Sequence, residues 1–132
     1  MLHSEIIKKS NQISKKHISA ETPVLSILSS CTLDFIKPYI ITETYKINSI
    51  LNPYTAPFNQ FEQILIDDNN EIWSKPNELF WINLRLEDLF KNFMLDHTIK
   101  GSKHSEDQLY ILLERITTII ELIRSKSSKP IL

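Results

Sequence analysis

Polar side chains that could do chemistry follow three apolar segments of the sequence. The segments end near residues 30, 54 and 84, and hydroxyl, amide or charged groups lie at or just after each end. The candidate ligand-binding residues in these groups are Ser29, Ser30, Thr32, Asn59, Gln60, Gln63, Arg85, Glu87 and Asp88. In an open parallel sheet a ligand binds beyond the carboxyl ends of the strands, so these residues would share one site if the segments are parallel strands.

Ser29 and Ser30 end the first apolar segment, where a helix is expected to begin. A serine in this position could act as a nucleophile, because backbone N–H groups and the helix dipole stabilise negative charge there. A serine nucleophile also needs a base and an acid that orients the base. None of the four histidines follows a predicted strand end. We therefore favour turn formation and helix capping for the two serines, with catalysis as the alternative, and assign no catalytic residue.

The lone cysteine and the histidines are better explained by structural roles than by catalysis or metal binding. Cys31 could be a reactive thiol if a helix N-terminus lowered its pKa, but a single cysteine beside a buried strand is more often a small apolar core residue. His97 and His104 lack cysteine or carboxylate companions at metal-ligand spacing, which disfavours zinc. We expect no metal and no cofactor in this chain.

Arg85, Glu87 and Asp88 could bind an anion or take part in acid–base chemistry. The same residues also suit the first turn of a helix, where acidic side chains oppose the helix dipole. Trp73 and Trp81 are expected in the core, because no basic stripe accompanies them as it would on a nucleic-acid stacking platform.

Length and composition narrow the class of protein. The 132 residues suffice for one domain, and a net charge of −1 disfavours nonspecific nucleic-acid binding. One cysteine excludes an internal disulfide and favours a reducing, cytoplasmic location. A single glycine excludes a P-loop and a Rossmann fingerprint. No apolar run approaches the ~18 residues of a membrane span.

The elements that would position the candidate site alternate between strands and helices. Residues 1–21 form a helical or flexible lead, with Ile6, Ile7, Ile13 and His17 on one helical face. Residues 32–34 offer caps for the helix that follows the first strand. Strands are predicted at 23–30, 49–54 and 77–84, helices at 33–45, 57–66 and 105–123, a mobile loop around Gly101 at 96–105, and the opening of another strand at 129–132. The last helix is expected to start with a capping box from Ser105 to Gln108.

This alternation predicts an α/β fold with a parallel sheet and helices on both of its faces. Three strands and the start of a fourth would leave an open sheet edge. We therefore expect the domain to be incomplete, or to be completed by another chain, and self-association through the open edge is one way to cover it.

Three sequence blocks carry a resemblance to a known family. They are Leu-Ser-Ser-Cys-Thr-Leu-Asp at 28–34, Pro-Phe-Asn-Gln-Phe-Glu-Gln at 57–63 and Leu-Arg-Leu-Glu-Asp-Leu at 84–89. In order and spacing they resemble the N-terminal region of FkbH-like proteins, so that residues 22–132 would form an incomplete domain of this type. The resemblance implies a three-layer flavodoxin-like or SGNH-hydrolase-like domain, normally followed by a HAD-type phosphatase domain. Such proteins load a glyceryl unit onto an acyl carrier protein for polyketide or surface-glycan biosynthesis.

The resemblance to the SGNH superfamily is partial. Ser29 and Ser30 fall where the first SGNH block has its nucleophile, but the preceding Gly-Asp is missing, and Glu87-Asp88 stands where the third block has Asn-Asp. No block with the acid and histidine pair occurs in the 132 residues. The sequence therefore favours a noncatalytic domain that presents an acyl carrier protein or a three-carbon substrate to a HAD-type domain. The alternatives are an SGNH-like esterase fragment and a degenerate gene fragment.

Overall fold

The computed structural model describes residues 2–90 and 92–132 and has at its centre a parallel sheet of three strands. The middle strand is β1 (Val24–Ser29), with β2 (Asn52–Thr55) on one side and β3 (Asn77–Asn83) on the other. Both neighbours run parallel to β1. The predicted α/β class and the three predicted strands are confirmed.

β1 is the central strand because its sequence suits a strand with a neighbour on each edge and with both faces covered. All six residues of Val24–Ser29 are buried, and a continuous apolar run is typical of a strand covered on both faces of a parallel sheet. Its register with β3 places Ser29 opposite Asn83. The last strand residues therefore bring polar side chains together at one edge of the sheet.

Helical segments precede, connect and follow the strands. The chain contains α1 (His3–His17), a 3₁₀ turn (Asp34–Ile36) that leads into α2 (Lys37–Lys46), α3 (Phe61–Ile66), α4 (Glu71–Ser74), α5 (Leu86–Leu89), α6 (Phe93–Lys100) and α7 (Ser102–Lys126). Helix α1 spans most of residues 1–21, so the predicted lead is largely helical. It packs against α2. Pro38 lies in the first turn of α2, where its missing N–H does least harm.

The main core lies between the sheet and helices α3, α4 and α7. Its fully buried side chains are Leu28, Phe61, Leu65, Ile72, Phe80, Ile119 and Ile123. Burial of each such side chain stabilises the fold by about 1.5–3 kcal/mol. The last predicted helix therefore contributes directly to the core that holds the strand ends in place.

The structure corrects the prediction of a mobile loop at residues 96–105. This segment is helical on both sides of Gly101, which separates α6 from α7. Polar side chains join these helices, so the segment lacks the apolar periodicity that would predict a helix. The Nζ atom of Lys100 lies 3.3 Å from Asp96 Oδ1, and His97 Nδ1 lies 2.6 Å from Ser105 Oγ.

Two predicted helix caps are also wrong. Helix α7 begins at Ser102 and not at Ser105, and its N-cap is Gly101, so the capping box from Ser105 to Gln108 does not form. The 3₁₀ turn has Leu33 as its N-cap without a side-chain cap, because Asp34 instead contacts Lys37 and Thr55. Helix α4 was not predicted. It begins after a short turn that follows α3, and Asn70 Oδ1 accepts a hydrogen bond from Ile72 N.

The predicted fourth strand is present as a short parallel bridge between Phe80 and Ile131. Phe80 N donates to Pro130 O at 3.0 Å, and Leu132 N donates to Phe80 O at 2.8 Å. The bridge extends the sheet on the β3 side. Among the described residues, no helix has the length and apolar character needed to cross a membrane.

Candidate functional site

The candidate site lies at the carboxyl edge of the sheet, where the loops after the three strands meet. Asn59 N donates to Ser29 O at 3.1 Å, which joins the loop after β2 to the end of β1. Asn59 adopts a left-handed backbone conformation with a φ of 57°, which asparagine tolerates better than most residues. Ser30 N donates to Asn83 O at 3.0 Å and joins the end of β3 to the same place.

Ser29 is held in a compact polar network. Its Oγ accepts hydrogen bonds from Cys31 N at 3.1 Å and from Asn83 Nδ2 at 3.2 Å. The Cys31 sulfur lies 3.5 Å from the same oxygen. Only 4% of Ser29 is exposed. The hydroxyl thus accepts two N–H groups and has its own proton free for the sulfur or for a ligand.

Ser30 connects the first and third loops. Its Oγ donates to Asp88 Oδ2 at 2.9 Å and accepts from Arg85 N at 2.8 Å. The Nε atom of Arg85 lies 3.7 Å from Asp88 Oδ2 and 3.9 Å from Glu87 Oε2. Because the hydroxyl proton is given to Asp88, Ser30 positions the start of α5 against β1.

A cavity of about 340 Å³ opens beside Ser29. It is lined by Ser29, Cys31, Thr32, Leu33, Asp34, Lys37, Thr55, Ala56, Pro57 and Phe58. Cavities of this size are at the small end of the range that holds metabolites. The lining combines hydroxyl groups, one ammonium group and one carboxylate, which suits a small polar ligand.

The charged part of the cavity is formed by Asp34, Lys37 and Thr55. Lys37 Nζ lies 2.5 Å from Asp34 Oδ1, and Thr55 Oγ1 donates to the same carboxylate oxygen at 2.8 Å. The hydrogen bond from Lys37, followed by that from Thr55, lowers the pKa of the Asp34 carboxyl below its ordinary value of 3.8. Asp34 is therefore ionised at neutral pH and holds the Lys37 ammonium at the cavity.

The remaining predicted site residues lie around this cavity at different distances. Ser29 and Thr32 line it, whereas Ser30, Arg85, Glu87 and Asp88 form the neighbouring cluster. Asn59 contributes its backbone N–H to the end of β1. Gln60 and Gln63 are exposed at the start of α3 and are not among the residues that line the cavity.

Asp34 and Lys37 were not selected from the sequence as site residues. Their spacing of three residues at the start of a helix was the available signal, because side chains three apart lie next to each other on a helix surface. Nothing in the sequence distinguishes Asn83 and Thr55 from their neighbours near the strand ends. The parallel register is what places Asn83 beside Ser29.

The histidines have other contacts. His3 Nδ1 lies 2.8 Å from Tyr39 Oη, His97 contacts Ser105, His104 Nε2 is 3.7 Å from Asp96, and the ring of His17 packs against Tyr45. Within residues 2–90 and 92–132, no histidine forms a hydrogen bond with Ser29 or Ser30. A general base in contact with either hydroxyl would be needed for serine nucleophilic chemistry.

No group of three or more His, Cys, Asp or Glu side chains in the described part of the chain is arranged to hold a metal ion. Comparisons of the chain with protein-family models, with curated proteins and with solved structures find no match. The geometry at the strand ends is therefore what supports a proposal about function.

Proposed function

We propose that this chain is a noncatalytic, FkbH-like N-terminal module that binds an acyl carrier protein or a three-carbon substrate and presents it to a HAD-type phosphatase domain. The module would have the flavodoxin-like or SGNH-like layering of that family and would work in the cytoplasm. Its binding site is the cavity at the carboxyl edge of the sheet, and the bond-breaking groups belong to the partner domain.

One observation carries the proposal. The three sequence blocks that resemble the family, 28–34, 57–63 and 84–89, meet at this edge and are joined by hydrogen bonds. Asn59 N donates to Ser29 O at 3.1 Å, and Ser30 Oγ donates to Asp88 Oδ2 at 2.9 Å. The first two blocks line the cavity and the third packs beside it, and such an assembly of distant residues at the strand ends of an open parallel sheet is typical of a ligand site.

The chemistry of the cavity fits the proposed ligands. The Lys37 ammonium can bind a phosphate or carboxylate as a point charge, and the Ser29 and Thr32 hydroxyls can bind the hydroxyls of a three-carbon unit. Lys37 is 33% exposed on its side chain, so it can exchange its contact with Asp34 for a contact with the ligand.

Titration of the isotope-labelled chain with a holo acyl carrier protein, followed by NMR, tests the proposal. The expected result is a set of shift changes at residues 31–37 and 55–58, weaker with the apo carrier protein. Lys37→Met is expected to weaken binding. Lys46→Met is the matched control, because Lys46 lies in the same helix and pairs with Glu43 at 2.6 Å. If neither holo carrier protein nor 3-phosphoglycerate shifts these residues, the proposal is wrong.

One observation favours an SGNH-like esterase as a second candidate. Ser29 is both at the end of β1 and in the lining of the cavity, which is the place of an SGNH nucleophile. The base would have to come from a partner domain. Labelling by a fluorophosphonate probe in the presence of the partner domain, lost in Ser29→Ala, would support this alternative, and absence of labelling under the same conditions would remove it.

A further inference from the structure

Helix α7 carries an apolar stripe that extends beyond the core. Its members are Leu109, Leu113, Ile116 and Ile120, at intervals of four, three and four residues. This spacing puts them on one side of the helix, and alternating intervals of three and four residues are those of a coiled-coil seam. Leu113 is 62% exposed, Leu109 43% and Ile120 38%. The stripe is therefore an apolar surface of the protein.

An apolar groove of about 480 Å³ lies beside the second half of the stripe. Its lining comprises Ile82, Leu84, Ile116, Ile120, Arg124, Ile131 and Leu132. The first half of the stripe instead exposes Leu109 and Leu113. The same face of the protein thus offers projecting leucines at one end and an apolar recess at the other.

We propose that this face binds a second copy of the chain, with the two α7 helices antiparallel about a two-fold axis. The intervals four, three and four read the same in both directions, so reversal aligns the stripe with itself. Leu109 of one copy is then level with Ile120 of the other, and Leu113 with Ile116. The leucines of each copy meet the groove of the other, as the isologous interface of a two-fold dimer requires.

The charges at the two ends of the stripe support the same arrangement. Near its start α7 has an acidic excess, with Glu106 and Asp107 against Lys103. Near its end Arg124 is exposed beside the stripe, four residues after Ile120, whereas Lys126 pairs with Asp68 at 2.5 Å on another side of the helix. Antiparallel pairing places the acidic start of one helix beside the basic end of the other, whereas parallel pairing would place like charges together.

The oligomeric state in solution tests this proposal. Light scattering coupled to size exclusion, over a concentration series, is expected to give a dimer mass for the full chain. Leu113→Glu is expected to raise the dimer dissociation constant by about tenfold or more, because it puts a charge in the centre of the interface. Ile111→Glu is the matched control: it is 54% exposed on the opposite side of the same helix and is expected to leave the dimer intact.

Reversal of the charges at positions 106 and 124 distinguishes the antiparallel arrangement from nonspecific association. Glu106→Lys is expected to weaken the dimer, and addition of Arg124→Glu in the same chain is expected to restore it. A monomer at every concentration overturns the proposal. So does a dimer whose dissociation constant is unchanged by Leu113→Glu, since the interface would then lie elsewhere on the protein. Circular dichroism of each variant shows that its fold is retained.

Discussion

Ser30 and Asp88, 58 positions apart in the chain, are joined by a hydrogen bond of 2.9 Å between the serine hydroxyl and the carboxylate. The same hydroxyl accepts the N–H of Arg85 at 2.8 Å. Ser30→Ala would leave a partly buried carboxylate and a backbone N–H without this partner. We expect it to lower the free energy of unfolding by about 1–3 kcal/mol, measured by urea denaturation.

Thr32→Ala is the control for this effect. Thr32 is exposed in the cavity lining, and its replacement is expected to change the free energy of unfolding by no more than about 0.5 kcal/mol. Equal stability of the Ser30→Ala variant and the unmodified chain would show that Ser30 does not hold the third loop.

The Asp34 carboxyl is expected to titrate below its ordinary pKa of 3.8, because Lys37 and then Thr55 bond to the charged form. A group whose pKa is lowered by folding stabilises the fold above its unfolded pKa and loses this contribution as the pH falls through the folded value. Lys37→Met should move the Asp34 pKa upward in a carbon-detected NMR titration, and Lys46→Met should not. An Asp34 pKa unchanged by Lys37→Met would contradict the contact.

Tyr54 is expected to ionise with a pKa of about 12 instead of 10.0, first because it is partly buried and then because its hydroxyl donates to Glu71 at 2.7 Å. A raised folded pKa stabilises the fold below the unfolded pKa, so this contribution is lost as the pH rises from 10.0 to about 12. Tyrosinate absorbance, compared with that of Tyr54→Phe, measures the value.

Glu71→Gln should bring the pKa of Tyr54 part of the way down, because the contribution of burial remains. Glu78→Gln is the matched control, since Glu78 pairs with Lys129 and not with Tyr54. Titration of Tyr54 at its ordinary pKa of 10.0 would mean that its hydroxyl is neither buried nor bonded to Glu71.

Purified chain is expected to release no p-nitrophenol from p-nitrophenyl acetate above the rate of a Ser29→Ala, Ser30→Ala double variant. The reason is geometric: in the described part of the chain neither hydroxyl is hydrogen-bonded to a histidine, and Ser30 gives its proton to Asp88. Turnover that disappears with Ser29→Ala would overturn the assignment of a noncatalytic module.

Gly101 separates α6 from α7 with a φ of 84° and a ψ of −179°, a conformation that is nearly exclusive to glycine. No atom lies within 4 Å of a Cβ added there, so backbone strain alone makes Gly101→Ala unfavourable. We expect the free energy of unfolding to fall by about 1–3 kcal/mol, measured by thermal unfolding, against little change for Lys103→Ala.

A cooperative transition of the unmodified chain would also exclude the degenerate-fragment alternative.

Much of the architecture was predictable because its signals are local. The buried run at Val24–Ser29 and the apolar stripes of α3 and α7 have the periodicity of their elements, so the three strands and these helices were predicted within a few residues. α6 was missed because it is short and is joined to α7 through polar contacts, such as that between His97 and Ser105. A glycine among polar residues predicts a loop, but Gly101 is a single-residue break between two helices.

The candidate site was predictable only as a location. Parallel strands put their following loops at one edge, which identified Ser29, Ser30 and the Arg85–Asp88 region. The pairing of Ser30 with Asp88, and of Asp34 with Thr55, depends on register and on the path of two loops. The periodicity of the sequence predicts neither pairing. The place of Asp34 and Lys37 in the candidate site therefore follows from the three-dimensional arrangement.

The position of β1 between two later strands has a consequence for biosynthesis. When Val24–Ser29 leaves the ribosome, neither hydrogen-bonding neighbour has yet been made, because Asn52–Thr55 and Asn77–Asn83 follow it in the chain. The backbone groups of β1 are therefore unpaired on both edges until Asn52–Thr55 has emerged, and on one edge until Asn77–Asn83 has emerged. During that interval its apolar side chains and unpaired edges are exposed to mispairing and aggregation.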